Sequence, residues 1–130
     1  MSTSISLEGA DKHPSIFFDS ANQLKISGFS VPENGWSVYE SIIMKVSLLI
    51  DKTPDAMNSE FKLEYFNKTS FDCILDLFKL MLVMKKKGWQ IKVKWFYQKF
   101  DEDMREAGET YSKILGSSIE LIEFQEMILS

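Results

Sequence analysis

The chain has 130 residues, 45% of them hydrophobic and 26% charged, with a formal net charge of −4 and a pI near 5.0. That length holds one domain with a real core, and that balance excludes a disordered chain. The acidic surface argues against nucleic acid or an anionic membrane as partner, and the lone Cys73 excludes an intrachain disulfide and suits a reducing, cytoplasmic compartment.

Met1 to Lys12 are polar and small and predict a flexible N-terminal tail, residues 1–12, ahead of a single domain over 13–130. Nothing in the tail has the basic-then-apolar pattern of a secretory signal. Ser15 to Phe18 and Gln23 to Ser27 predict two strands joined at the Ala21-Asn22 turn as a hairpin. A loop follows, holding Pro32-Glu33-Asn34. Trp36 to Asp51 has helical spacing, with Trp36, Tyr39, Ile43, Val46 and Ile50 recurring at three and four. Asn34 or Ser37 could cap it. Thr53 to Asn58 predicts a connection and Glu60 to Phe66 a strand.

Thr69 to Lys87 predicts a long helix, stopped by Gly88 after a basic last turn. Its apolar run from Ile74 to Met84 is broken by Asp76 and Lys79 and is too short to span a bilayer. Trp89 to Tyr97 predicts a strand, Asp101 to Leu115 a helix with an acidic first turn, and Ile119 to Phe124 a last strand.

The order β-β-α-β-α-β-α-β predicts an α/β fold with a small mixed sheet of four to five strands. In the strands apolar and polar residues alternate, as in Phe61, Leu63 and Tyr65 against Glu60, Lys62 and Glu64. Sheets covered on both faces show continuous apolar runs instead. The helices are therefore expected mainly on one face, with Lys62, Glu64, Lys92 and Lys94 on a wet opposite face.

Enzyme chemistry finds little support. The only histidine, His13, adjoins the tail, and a catalytic base must be held rigidly. There is no histidine–cysteine cluster for a metal and no glycine loop for a phosphate cofactor. Cys73 sits in an apolar helix, as a core residue does. Asp101, Glu102 and Asp103 suit a helix dipole, and Lys85-Lys86-Lys87 suits a helix end. One junction stands out. Asn67-Lys68-Thr69-Ser70 joins a strand end to a helix start, and Thr69 with Asp72 has capping-box spacing. Either Thr69 or Ser70 is simply an N-cap, or one of them is a phosphorylation site beside the positive helix end. The long helix behind it is so apolar that it is either deeply buried or partly exposed as a partner surface.

Several stretches resemble SiaC-type regulatory phosphoproteins: Gly28 to Asn34, Leu63 to Asn67, Thr69-Ser70 with Cys73 to Asp76, Trp95 to Tyr97, and Asp101 to Glu109. The resemblance spans roughly Pro14 to Phe124. It implies a fold like that of anti-sigma-factor antagonists and a single regulatory domain that is no enzyme. It also implies a partner switch: a protein kinase phosphorylates a hydroxyl at this junction and a protein phosphatase removes the phosphate. The unphosphorylated form would bind an effector such as a diguanylate cyclase, raising cyclic di-GMP and promoting biofilm. On this reading Thr69 and Ser70 are the phosphorylation candidates, and Pro32, Glu33, Asn34, Asn67, Lys68 and Asp72 the partner-binding ones. The family run reads asparagine, threonine, serine, serine, so Lys68 stands where the family's threonine stands. A copy without a phosphate acceptor would be a constitutive protein- or ligand-binding module of the same fold.

Overall fold

The structure is a computed structural model that describes residues 5–7, 9, 12–32 and 35–125. Its elements are β1 (Ile5–Leu7), β2 (Ser15–Phe18), β3 (Gln23–Ser30), α1 (Gly35–Leu49), β4 (Ala56–Phe66), α2 (Lys68–Lys86), β5 (Gln90–Gln98), α3 (Glu102–Leu115), a single 3-10 turn (Gly116–Ser118) and β6 (Ile119–Phe124). The six strands lie in the sheet in chain order. β1, β2 and β3 pair antiparallel, while β3, β4, β5 and β6 pair parallel. Each parallel step crosses over through one helix. Because such crossovers share one hand and the strand order never reverses, all three helices fall on one face.

The mixed sheet with one covered face agrees with the strand alternation as far as Leu63. A register shift between Gly28 and Phe29 then turns Phe66 inward and leaves Tyr65, expected with the apolar set, exposed on the bare face. The sheet has six strands where four to five were expected. The additional strand, β1, lies in the segment expected to be a loose tail and pairs Ile5 with Phe18 and Leu7 with Ile16. With two apolar residues in three, it is too short for periodicity to reveal. β4 starts four residues earlier than expected. Met57 is buried there, but Ser59, also buried, blurs the apolar signal.

The long helix α2 is central, in contact with α1 on one side and α3 on the other. That position accounts for its apolar composition. Cys73, Ile74, Leu77, Phe78, Met81 and Met84 are buried, Leu75, Leu80 and Leu82 pack against the core, and only Val83 stands exposed. The alternative of an apolar partner surface on α2 is thereby overturned. Gly88, at φ +108°, turns the chain out of the helix in a conformation that side chains rarely adopt.

The core centres on Phe61, Phe78, Trp95 and Tyr111, with ring centroids 4.8 to 6.5 Å apart. The Trp95 indole donates to the Met104 carbonyl at 2.9 Å, so its buried N–H is satisfied. α3 reaches the sheet this closely because residue 108 is glycine. A Cβ there would stand 2.5 Å from Trp95 and 2.7 Å from Leu121.

Candidate functional site

β4 ends at Phe66 and α2 begins at Lys68, so Asn67 is the hinge residue between them. Its backbone is extended (φ −92°, ψ 177°), and its side-chain oxygen accepts the Ser70 amide at 2.9 Å. This is the N-cap arrangement, which satisfies one of the helix's open donors. The cap is therefore Asn67, not Thr69 or Ser70 as the capping-box spacing had suggested. Those two lie inside the first turn, where asparagine's carboxamide has already taken the role.

The remaining residues of the run have different fates. Lys68 is exposed, and its ammonium lies 3.3 Å from Asp72, a surface pair of small worth. Thr69 is half-buried. Ser70 is fully buried. Its hydroxyl donates to the Ser30 carbonyl at 2.8 Å and lies 2.8 Å from the Ser30 hydroxyl, which in turn lies 2.6 Å from the Tyr39 hydroxyl. A carbonyl only accepts, so the protons order themselves in one direction: Tyr39 donates to Ser30, Ser30 to Ser70, and Ser70 to the Ser30 carbonyl. The same carbonyl accepts the Asn67 amide at 3.1 Å. Burial pushes the Tyr39 hydroxyl up to about 12, against the smaller opposing effect of the neighbouring Ser30 and Ser70 hydroxyls. It stays protonated and keeps donating. The network ties β3, α1 and the start of α2 together without a charge.

On its outer side the junction meets α3. The Tyr111 hydroxyl donates to the Phe71 carbonyl at 2.9 Å, and their rings stack with centroids 4.8 Å apart. Between α2 and α3 lies a cleft of about 320 Å³, floored by Phe66, Phe71 and Ala107. Lys68 lines it together with Asp103 and Glu106 from α3, so the cleft is rimmed by one cation and two carboxylates. Asp101 caps α3 by accepting the Met104 amide at 3.1 Å, which accounts for one member of the acidic triplet.

The other candidates scatter. Pro32 is buried, while Glu33 and Asn34 lie outside the described residues. Ser37 is within the first turn of α1 rather than ahead of it. His13 is exposed in a bend. Cys73 is fully buried, and its thiol is pushed up to about 11 by burial and by Asp76 and Asp72, so it is no nucleophile. Among the described residues no group of three histidine, cysteine or acidic side chains could hold a metal, and no helix is long and apolar enough to cross a membrane. Sequence reasoning missed Ser30 and Tyr39, and the acidic side of the cleft. Tyr39 had been read as one more apolar position. A buried tyrosine needs a partner for its hydroxyl, and that need was the available signal.

The model of the SiaC family regulatory phosphoproteins matches residues 7–124. A curated relative, an uncharacterized protein of Pseudomonas aeruginosa strain UCBPP-PA14, is 24% identical over 106 residues, covering 81% of this chain and 84% of its own. Two solved structures share the fold. SiaC from Pseudomonas aeruginosa, in complex with the diguanylate cyclase SiaD that it activates, superposes with a TM-score of 0.85 at 21% identity, over 92% of this chain and 99% of that one. SiaC from the same organism in its apo form gives 0.80 at 21% identity, over 95% and 99%. The chain belongs to the SiaC family.

Proposed function

We propose that this SiaC family member is a non-enzymatic, cytoplasmic signalling protein that docks on an effector such as a diguanylate cyclase, and that phosphorylation at the β4–α2 junction switches the docking. A kinase would add the phosphate and a phosphatase remove it. The output would be cyclic di-GMP and, through it, biofilm. The observation that supports this reading is the geometry of the hydroxyls. Of the two candidates, Thr69 keeps partial exposure in the first turn of α2, while Ser70 is sealed. Thr69 is accordingly the acceptor in the folded protein.

The effect of the phosphate follows from its charge. It would add roughly −1.5 to −2 beside the α2 start. The helix end favours such a charge, worth about 0.3–1 kcal/mol. Asp72, together with Asp103 and Glu106 across the cleft, opposes it. A partner seated over Asn67, Lys68 and Asp72 would meet a much more negative local charge and leave. Incubation with the cognate kinase and ATP, followed by mass spectrometry, is expected to place one phosphate on Thr69 and to weaken effector binding. An unmodified Thr69 would sink the switch.

A second reading is favoured by Lys68. It occupies the first helical position, where the family's threonine stands, and its ammonium shares the cleft with Asp103 and Glu106. A permanent cation there would hold the protein in the form resembling the unphosphorylated state, as a constitutive binding module. On this reading the kinase leaves the chain unmodified, and Lys68→Thr creates a substrate for it.

A further inference from the structure

The sheet face turned away from the helices carries registered rows of side chains across β3 to β6. Leu24, Ile26, Phe61, Val93, Trp95 and Ile119 are buried on the helix side, so their chain neighbours point the other way. One row reads Lys25, Glu60, Lys94 and Glu120, each paired with the next. The sign alternates along it. Opposite charges side by side steady a sheet by themselves. Yet the ion pairs closed within 4.0 Å among the described residues are Lys68–Asp72, Lys87–Asp51 and Arg105–Glu109, and none involves this row. In the next row Lys62 follows Ser27, and Phe96 pairs with Ile122. The Lys62 ammonium stands 4.5 Å from the centre of the Phe124 ring and 6.0 Å from that of Phe96.

This pattern is self-complementary under one symmetry operation. Rotate a second copy by 180° about an axis parallel to the strands and midway between β4 and β5, so that the two bare faces meet. β3 then lies over β6, and β4 over β5. Lys25 faces Glu120 and Glu60 faces Lys94, each contact occurring twice, while Lys62 falls over Phe96. A two-fold axis along the row would set like on like. We infer that the bare face is a homodimer interface with its two-fold axis parallel to the strands between β4 and β5. Isologous two-fold interfaces are the commonest kind, and sheets pack face to face with their strands nearly aligned. Phe29 and Tyr65, 45% and 59% exposed on the same face, supply apolar area. The charges fix register and reject other arrangements.

The inference is independent of the phosphate cycle and is tested without it. Sedimentation equilibrium of the full chain is expected to show a reversible dimer that weakens with salt. Glu60→Lys and Lys94→Glu each set like charges against each other twice, and each is expected to raise the dimer dissociation constant at least about 100-fold. Mixing the two variants restores opposite signs at both contacts, so a heterodimer should reappear. Circular dichroism melts confirm that both variants fold. A purely lateral role within one sheet predicts no rescue on mixing, and that result would overturn the interface. So would a wild-type chain that stays monomeric up to about 1 mM. Protection of this face from hydrogen exchange only when an effector is bound would assign it to that effector and likewise overturn the dimer.

Discussion

On β5, Val93 and Trp95 point toward the helices and are buried, whereas Lys92 and Lys94, one residue away along the strand, stand exposed on the other face. The covered face is apolar, aromatic and closely fitted, down to the missing Cβ of residue 108. The bare face is a lattice of lysines and glutamates with a few aromatic rings among them. Shape is specified on the first face and charge on the second. The difference teaches where a substitution acts. Covered-face changes are felt through packing density, which tolerates little. Bare-face changes act through charges that water screens in the isolated chain.

The sharpest test of that contrast is Trp95→Ala. It removes the ring shared by Phe61, Phe66, Phe78 and Tyr111 and leaves the Met104 carbonyl without its indole donor. Urea unfolding is expected to show a loss of about 3–5 kcal/mol. A loss near that of a surface change would break the comparison.

Alkaline pH is expected to act next, and again through the covered side. Burial raises Cys73 from 9.0 to about 11 and Tyr39 from 10.0 to about 12. Above pH 9 the unfolded chain therefore releases protons that the folded chain retains. Stability contributed by the neutral groups is complete below the unfolded values and is lost as pH rises through the folded ones. Chemical unfolding at stepped pH should show stability falling from pH 9 onward, with the decline beginning about one unit later in Cys73→Ala. A flat profile to pH 11 would remove the argument for burial of both groups.

Asn67→Ala acts where β4 passes into α2, through the helix cap. The loss of the cap should cost about 1 kcal/mol and speed hydrogen exchange at the Ser70 amide. The smallest effect is expected on the bare face. Lys92→Ala should change stability by no more than about 0.5 kcal/mol. A larger loss would show that the lattice carries stability and not only specificity.

Period-two alternation on β3, β4 and β5 was legible in the sequence because each strand has one wet face. It foretold the mixed sheet and the side the helices take. β1 was hidden by its brevity, and the start of β4 by the buried Ser59. At the site, the strand–helix junction was legible from a run of capping residue types. Which of them caps was not, since asparagine, threonine and serine all cap well and only the chain's path decides. The inward turn of Ser70 was equally out of reach. It depends on Ser30 and Tyr39, 40 and 31 positions earlier in the chain and brought close by the crossover through α1.

The sealed position of Ser70 bears on how signalling variants of this protein are read. Aspartate is the customary stand-in for a phosphorylated serine. At Ser70 it would place a carboxylate among two hydroxyls and a carbonyl oxygen, with no cation among the partners of that network. The Ser30 carbonyl would also lose one of its two donors, keeping the Asn67 amide, and face the new negative charge. Such a variant is expected to lose function by loosening β3 from α2 rather than by standing in for a phosphate. A Ser70→Ala control, similar in size and neutral, separates the two, because it breaks the hydrogen bonds while adding no charge.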